Sequence, residues 1–432
     1  MIRIDRANDF ERQCTIECNF IETAYSSCLI SIGKTKVLCT CSVEKTVPAF
    51  RKESNSGWLT AEYAMLPGST ATRKNRDGIK KDGRSVEIQR LIGRSLRQAI
   101  NLDILGPITL TIDCDVLQAD GGTRTTSITG AYVALVLAVD RLLKEGIITQ
   151  NPLTNQIAAI SAGVLNNDIL VDLCYEEDSN IGADINLVMN NASEIIEIQG
   201  TGEQCAIGYD TLNKVIHKAR LAILRLMNKQ REALKNAGVT LLPKQIFVVA
   251  SGNAHKVQEM NALLGEDFQL YDMKSLGFDK EIIEDGLTFQ ANSIIKAKEV
   301  FQALHIPTIA DDSGLCVEAL NGAPGIYSAR YGGNINQVEK NVMLLNELKD
   351  SKNRNAYFAC NITLVDQDGD ISFEAKCNGS ILKEPVGNNG FGYDPIFCYE
   401  DGRPLATMLE SEKNEISHRG LALKKFKAYV TR

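Results

Sequence analysis

The sequence predicts two α/β-type domains in tandem, and three observations carry that prediction. At 432 residues the chain exceeds what one ordinary hydrophobic core organises. Its first 200 residues interleave β-like runs (CLISIG, KVLCTCSV, ITLTIDCDV, IAAISAGVL, DILVDLCY, INLVMN) with helical patterns. After residue 240 a new pattern begins with QIFVVASGNAHKVQEMNALLG, a buried strand, a polar turn and an amphipathic helix. The domains are therefore placed at 1–238 and 245–432, with 239–244 as a linker.

Within the first domain, VEIQRLIGRSLRQAI reads as a helix behind a basic, glycine-containing stretch. The run ITLTIDCDVLQ reads as a strand and AYVALVLAVDRLL as a buried helix, joined by the Gly/Thr-rich turn DGGTRTTSITG. A long helix is expected after Asp210, read as its N-cap, with Leu212, Val215, Ile216, Ala219, Ile223, Leu226 and Met227 on one apolar face. It fades at KNAG, and GVTLLPK reads as the connection. The second domain alternates helices and strands, with glycine-rich breaks at 284–286, 311–314 and 387–392.

Composition narrows the function classes. Apolar content of 44% with 23% charged residues is that of a folded, soluble chain. MIRIDRANDFERQ is too charged for a signal peptide, and the apolar run AYVALVLAV is about half of what spans a bilayer. Twelve cysteines without Cys-x-x-Cys, and only four histidines, argue for reduced core thiols and against structural zinc. The expected location is the cytoplasm, with no membrane partner. Net charge is −7, yet residues 73–97 hold nine basic side chains (Arg73, Lys74, Arg76, Lys80, Lys81, Arg84, Arg90, Arg94, Arg97) against three acids. Such a run serves either as a solvated helix face or as a polyanion-binding surface.

DGGTRTTSITG has the form of an anion cradle, a glycine turn between a strand and a helix start. Arg124 within it, and Arg84 in the basic stretch KKDGR about 40 residues upstream, supply guanidinium forks that match phosphate oxygens, with Thr123 as a hydroxyl donor. LCYEEDSNIGADINL places Asp178 and Asp184 in an inter-strand loop, as solvated acids, a general acid, or ligands of a hard cation. QADGGTRTTSITGA, DGRSVEIQRLIGRSLR, WLTAEYAMLPGST and DLCYEEDS together resemble the RNase PH family over residues 1–235. That resemblance implies a fold like ribosomal protein S5 domain 2, a hexameric ring, and phosphorolytic 3′→5′ trimming of tRNA precursor 3′ ends. It also implies that Arg84, Gly122, Thr123 and Arg124 bind inorganic phosphate as co-substrate. Asp178 and Asp184 would supply the catalytic acid and Mg²⁺ contacts. Where the family usually reads Leu-Pro-Arg-Ser-Thr, this chain has LPGST, so Gly68 replaces an arginine and weaker contact with the tRNA body is expected, with Arg73 and Arg76 left to carry part of it.

In the second domain ASGNAHK follows a strand and opens a helix, so its amides and Lys256 can hold polyphosphate oxygens. TIADDSGL is expected to end a strand with Asp311, Asp312 and Ser313, of which one acid only can face a site directly. SGNAHK, DGLTF, ADDSGL, GAPGIYSARY, GFGYDPIF and SHRG resemble the inosine triphosphatase family of noncanonical purine nucleoside triphosphate pyrophosphatases, over about 245–430. The resemblance implies an α/β fold, a homodimer, and Mg²⁺-dependent hydrolysis of dITP, ITP and XTP to monophosphate and pyrophosphate. It assigns substrate contacts to Ser251, Gly252, Asn253, Ala254, His255, Lys256 and Ser313. Phe391, Gly392, Tyr393 and Asp394 would frame base and sugar, and Lys413, His418 and Arg419 the phosphates and the 6-oxo edge. Asp312 would be general base and metal ligand, with Glu284 as second metal contact. Ile283 and Ala291 stand where the family has glutamates, so weaker Mg²⁺ binding is expected. The implied whole is a bifunctional enzyme; the alternative is one catalytic domain beside an RNA-binding or oligomerising scaffold.

Overall fold

Alternating burial along the early β runs produces a computed structural model with two compact units, Met1–Gln245 and Ile246–Arg432. It describes residues 3–76, 82–166, 168–204, 206–252 and 254–431; Lys80, Lys81, Asn253 and the side chains of Ala254 and His255 lie outside the described residues. In the first unit, β1 (Cys14–Cys18), β2 (Ser26–Ile32), β3 (Thr35–Glu44), β4 (Trp58–Met65) and β5 (Thr109–Gln118) form one sheet in the order β1-β2-β3-β5-β4. Its pairs are antiparallel except β4–β5, which is parallel. A second, antiparallel sheet has the order β7-β6-β8-β9, from β6 (Ile157–Leu165), β7 (Asp168–Val171), β8 (Ala183–Asn190) and β9 (Ile195–Gly202). The helices are α1 (Gly83–Arg97), α2 (Leu102–Leu105), α3 (Thr123–Lys144), α4 (Tyr175–Asp178) and α5 (Tyr209–Asn236).

α3 organises this unit. It packs against β2, β3 and β5 of one sheet and β6 of the other, so nearly its whole circumference is apolar. By length and composition alone it could cross a bilayer, which the run AYVALVLAV had not suggested, but 89% of its apolar window is buried inside the unit. Gly130 lets it approach the sheet: a Cβ there would press on Ile30 at 2.5 Å and the Cys39 sulfur at 2.9 Å. Two local expectations are corrected. The N-cap of α5 is Gly208, so Asp210 lies inside the first turn, where its charge suits the helix dipole. Asp178 and Asp184 are not in one loop: the first closes α4 and the second is in β8.

The connection is held to the first unit. Asp140 on α3 accepts from the Thr240 amide at 3.0 Å and its hydroxyl at 2.6 Å, and Arg231 donates to the Pro243 carbonyl.

The second unit carries one six-stranded sheet. It uses β10 (Gln245–Val249), β11 (Phe268–Asp272), β12 (Thr308–Val317), β13 (Asn355–Asp366), β14 (Gly369–Ile381) and β15 (Phe397–Tyr399), in the order β11-β10-β12-β13-β14-β15. β10 and β12 are parallel and the pairs from β12 to β15 antiparallel. Its helices are α6 (Ala254–Leu264), α7 (Phe289–Leu304), α8 (Gln337–Glu347), α9 (Glu410–Ile416) and α10 (His418–Val430). Two apolar clusters form, one around Phe247, Ile309 and Phe426, the other around Leu315, Phe358 and Phe397. β12 contributes to both from one face, with Ile309 at one end and Leu315 and Val317 at the other. Between them on that face come Asp311 and Ser313. The cores part there, and a polar site opens.

Candidate active sites

The turn before α3 exists because its glycines permit it. Gly121 and Gly122 sit at φ of 74° and 63°, and a Cβ on Gly121 would strike the Leu173 carbonyl. The hydroxyl of Thr35 donates to the Gly121 carbonyl at 2.7 Å and accepts from the Asp120 amide at 2.9 Å, fixing the turn from β3. α3 begins at Thr123, so its first amides have no intrahelical acceptors and carry the positive end of the helix dipole. Tyr63 of β4 donates to the Thr123 hydroxyl at 2.9 Å. Arg124 donates to Gln199 of β9 at 2.7 Å and lies 3.7 Å from Glu87 of α1; Gln199 donates in turn to Glu87 at 3.0 Å. The arginine is thus aimed by two side chains from separate elements.

Electrostatics bring the remaining residues together. Burial raises the Asp178 carboxyl, while Arg84 and Arg124 pull it back. Asp184 is pushed up to about 6, first by burial and then by Asp178. One Asp184 oxygen accepts from Asn186 at 3.0 Å; the other is buried and without a protein partner. Arg84, Arg124, Asp178 and Asp184 therefore share one field, with Glu203 adding negative charge at its edge. Tyr63, Glu87, Gln199 and Glu203 were not singled out from sequence. Only their partners reveal them, because Tyr63, Glu87 and Gln199 come from three different elements and Glu203 from the bend just after β9. Gly68 has open space around it, so its missing side chain leaves no packing defect.

In the second unit, strand alternation splits the acids of ADDSGL as expected, although they lie within β12 rather than at its end. Asp311 faces α10 and α6: Arg419 donates to it at 2.8 Å and Lys256 lies 3.2 Å away. Burial raises the Asp311 carboxyl, but Arg419, Lys256 and Lys296 together hold it far below the usual range. Arg419, 2% exposed, also donates to Glu259, and to the Ser313 hydroxyl at 3.2 Å. These groups border a cavity of about 320 Å³ that also takes in Ser328, Phe391, Gly392, Tyr393, Asp394, Lys413 and His418. Lys413 donates to Asp394 at 2.7 Å and stands 4.8 Å over the Phe391 ring. Tyr393 donates to the Ser328 carbonyl at 3.0 Å. His418 stacks on Phe358 at 4.8 Å, and burial first, then Arg419, keeps it neutral; its Nδ1 has no protein partner. Ser251 and Gly252 lie between β10 and α6, with the Lys274 ammonium 3.6 Å from where a Gly252 Cβ would stand.

Asp312 looks the other way, toward α7. Lys296 donates to Asp312 at 3.1 Å, to Glu284 at 3.1 Å and to the Asp311 carbonyl at 3.0 Å, while Asn292 reaches Asp312 at 3.3 Å. Burial leaves Asp312 raised even beside this ammonium. Lys296 was the main omission of the sequence reading. A lysine one turn after Asn292, within the apolar stretch SIIKAKEV, was its only signal. Ala291 is the third residue of α7, where its amide donates to the Thr288 cap at 3.0 Å, and Ile283 is exposed.

Among the described residues no three His, Cys, Asp or Glu side chains converge as a metal cage. The donors present fit Mg²⁺, which takes one or two carboxylates plus phosphate oxygens and water. Asp184 offers a bare buried oxygen beside Asp178, and Asp312 and Glu284 converge on one ammonium.

Comparison with known proteins follows this division. Residues 11–139 and 155–221 match the two domains of the 3′ exoribonuclease family, described as RNase PH and its C-terminal part, and residues 247–429 match the Ham1 family. Ribonuclease PH of Neisseria meningitidis serogroup C is 49% identical over 238 residues, which is 55% of this chain and 98% of the relative. The Ham1 protein of Staphylococcus aureus is 37% identical, covering 43% of this chain and 98% of that one, with a TM-score of 0.41. A HAM1 protein from Coxiella burnetii is 38% identical over the same shares, also at 0.41. The chain thus joins two lineages, belonging to the RNase PH family through its first unit and to the Ham1 family through its second.

Proposed function

We propose that the chain is a bifunctional enzyme: a phosphate-dependent 3′→5′ exoribonuclease acting on tRNA precursor 3′ ends, and a pyrophosphatase of dITP, ITP and XTP. The convergence of Arg84 and Arg124 on Asp178 and Asp184 carries the first half. Thr123, Arg124, Arg84 and the α3 amides seat inorganic phosphate, so a dianion can approach the terminal phosphodiester. Asp184, which holds a proton up to about pH 6, delivers it to the departing 3′ oxygen, and a nucleoside diphosphate is released. Asp178 and Asp184 would hold Mg²⁺, whose charge would offset that of the two anionic reactants.

The Asp312–Lys296–Glu284 clasp carries the second half. Asp312 takes the proton of a water aimed at the α-phosphorus. Phe391, Tyr393 and neutral His418 receive the purine, while Lys256, Lys413 and Arg419 face the phosphates. Asp312 and Glu284 would hold Mg²⁺ against the departing pyrophosphate. The ring of the first family and the dimer of the second are the assemblies this reading carries, in the cytoplasm.

Arg124→Ala is expected to lower phosphorolysis at least about 10²-fold and leave ITP hydrolysis intact. Asp312→Ala should do the reverse, by about 10²–10⁴-fold. Loss of both activities in either folded variant would refute two independent sites; release of nucleoside diphosphate from RNA and of pyrophosphate from ITP are the two assays.

A further inference from the structure

The first unit carries a cluster that neither catalysis nor core packing uses. Trp58, at the start of β4, has two guanidiniums against its ring, Arg51 at 5.1 Å and Arg97 at 4.9 Å from the centroid. Phe50 meets it edge-on with centroids 5.1 Å apart and is 69% exposed. The short turn that presents Phe50 and Arg51, Ala49–Arg51, buries none of its residues. Arg97 is anchored, donating to the Leu59 carbonyl at 3.0 Å.

The charges here are unbalanced. Arg3, Arg12 and Arg225 of the same unit each grip a carboxylate, but among the described residues neither Arg51 nor Arg97 does. Burial lowers the affinity of Arg97 for its proton, and Arg94 and Arg51 lower it further. Gathering like charges around a half-buried tryptophan and an exposed phenylalanine is unfavourable alone and is relieved by a polyanion. Two features orient the cluster to the cradle. β4 joins Trp58 to Tyr63, which touches Thr123, and α1 has Arg84 near its start and Arg97 at its end. Trp58 and Tyr63 stand five positions apart on β4, about 17 Å along the strand, with their side chains leaving its opposite faces.

We infer that Phe50, Arg51, Trp58 and Arg97 form a second RNA-binding platform, for single-stranded nucleotides upstream of the 3′ end held at the cradle. Bases stack on the Phe50 ring and on the outer Arg51 plane, and backbone phosphates meet Arg51 and Arg97. Stacking of this kind accepts any base, as a trimming enzyme requires. The assignment rests on the phosphorolytic reading of the first unit.

Phe50→Ala and Arg51→Gln in the full chain test it, using an oligoadenylate of about 12 nucleotides and a trinucleotide. The KM for the longer RNA should rise about five- to tenfold, with kcat, the phosphate KM and trinucleotide turnover unchanged. Equal KM changes at both lengths would overturn the platform. So would a fall in the mass of the native assembly in either variant, which would make the cluster a contact between copies of the chain. Fluorescence anisotropy with the same oligoadenylate reads binding apart from turnover. There a similar loss of affinity supports the platform and an unchanged affinity sinks it. Wild-type protein that binds but releases no nucleoside diphosphate would refute only the phosphorolytic reading.

Discussion

Asp184 shows how a single side chain exchanges stability for chemistry. Its carboxyl is ordinarily near 3.8 and is pushed up to about 6 in the folded chain, so folding favours its protonated form. The penalty for ionising it is absent below about pH 3.8, grows as pH rises to about 6, and is complete above that. Asp184→Asn should therefore stabilise the first unit by about 3 kcal/mol at pH 8 and hardly at all at pH 4, while abolishing phosphorolysis. Urea unfolding at the two pH values measures this; an equal gain at both would mean that ionisation is not the source. Lys296 performs the opposite service for Asp312. Its ammonium stands against both Asp312 and Glu284, and it holds down a carboxyl that burial raises. With Lys296→Met the acid limb of kcat/KM for ITP hydrolysis should move toward higher pH, since Asp312 must be ionised to act as base and loses the ammonium that holds it down. A limb that stays in place would show that Lys296 does not set the charge of Asp312. Residues of this kind explain what the sequence could and could not show. Asp312 and Arg124 stand in glycine- or acid-rich local patterns whose chemistry is visible in a few letters. Lys296, Tyr63 and Gln199 act through partners many residues away; Lys296 is marked locally only as a lysine within an apolar helical stretch, and nothing in the neighbourhoods of Tyr63 and Gln199 marks them.

The same division holds for elements. Strands whose side chains alternate, such as KVLCTCSV and ITLTIDCDV, were legible because one face must be buried, and α3 was legible from its apolar length. The four-residue helix α4 was not, since one turn has no period to detect, and so Asp178 was read into a loop. In sequence TIADDSGL reads as the end of a strand. β12 continues to Val317 because β13 pairs with it along its full length, and the acids lie where two apolar clusters part. In the proposed reaction, phosphate seating depends on the turn before α3. Gly121→Ala would place a Cβ against the Leu173 carbonyl at a φ of 74°, a left-handed conformation that costs about 1–2 kcal/mol before any clash is counted. The expected outcome is a raised phosphate KM and a lower melting temperature for the first unit, with ITP hydrolysis unchanged. An unaltered phosphate KM would show that Thr123 and Arg124 are positioned by Tyr63 and Gln199 alone.

At the scale of the molecule, each unit closes its own sheets and buries its own core within its own residues. The connecting residues Thr240 and Leu241 are tied back to Asp140 of the first unit. Two cores of this kind imply two cooperative transitions, and two separate anion sites imply that each responds to its own ligand. Inorganic phosphate at about 100 times its dissociation constant should stabilise only the transition of the first unit, by about 2.7 kcal/mol. ITP with a non-hydrolysable α–β linkage should raise only the other. Arg124→Ala should erase the first response and spare the second, and Asp394→Ala, which frees Lys413 and removes a wall of the cavity, should weaken the second and spare the first. Differential scanning calorimetry of the full chain with each ligand and each variant is the measurement. A single transition raised by either ligand would mean that the units unfold together, and the linkage would then make nucleotide binding a determinant of RNA-site stability.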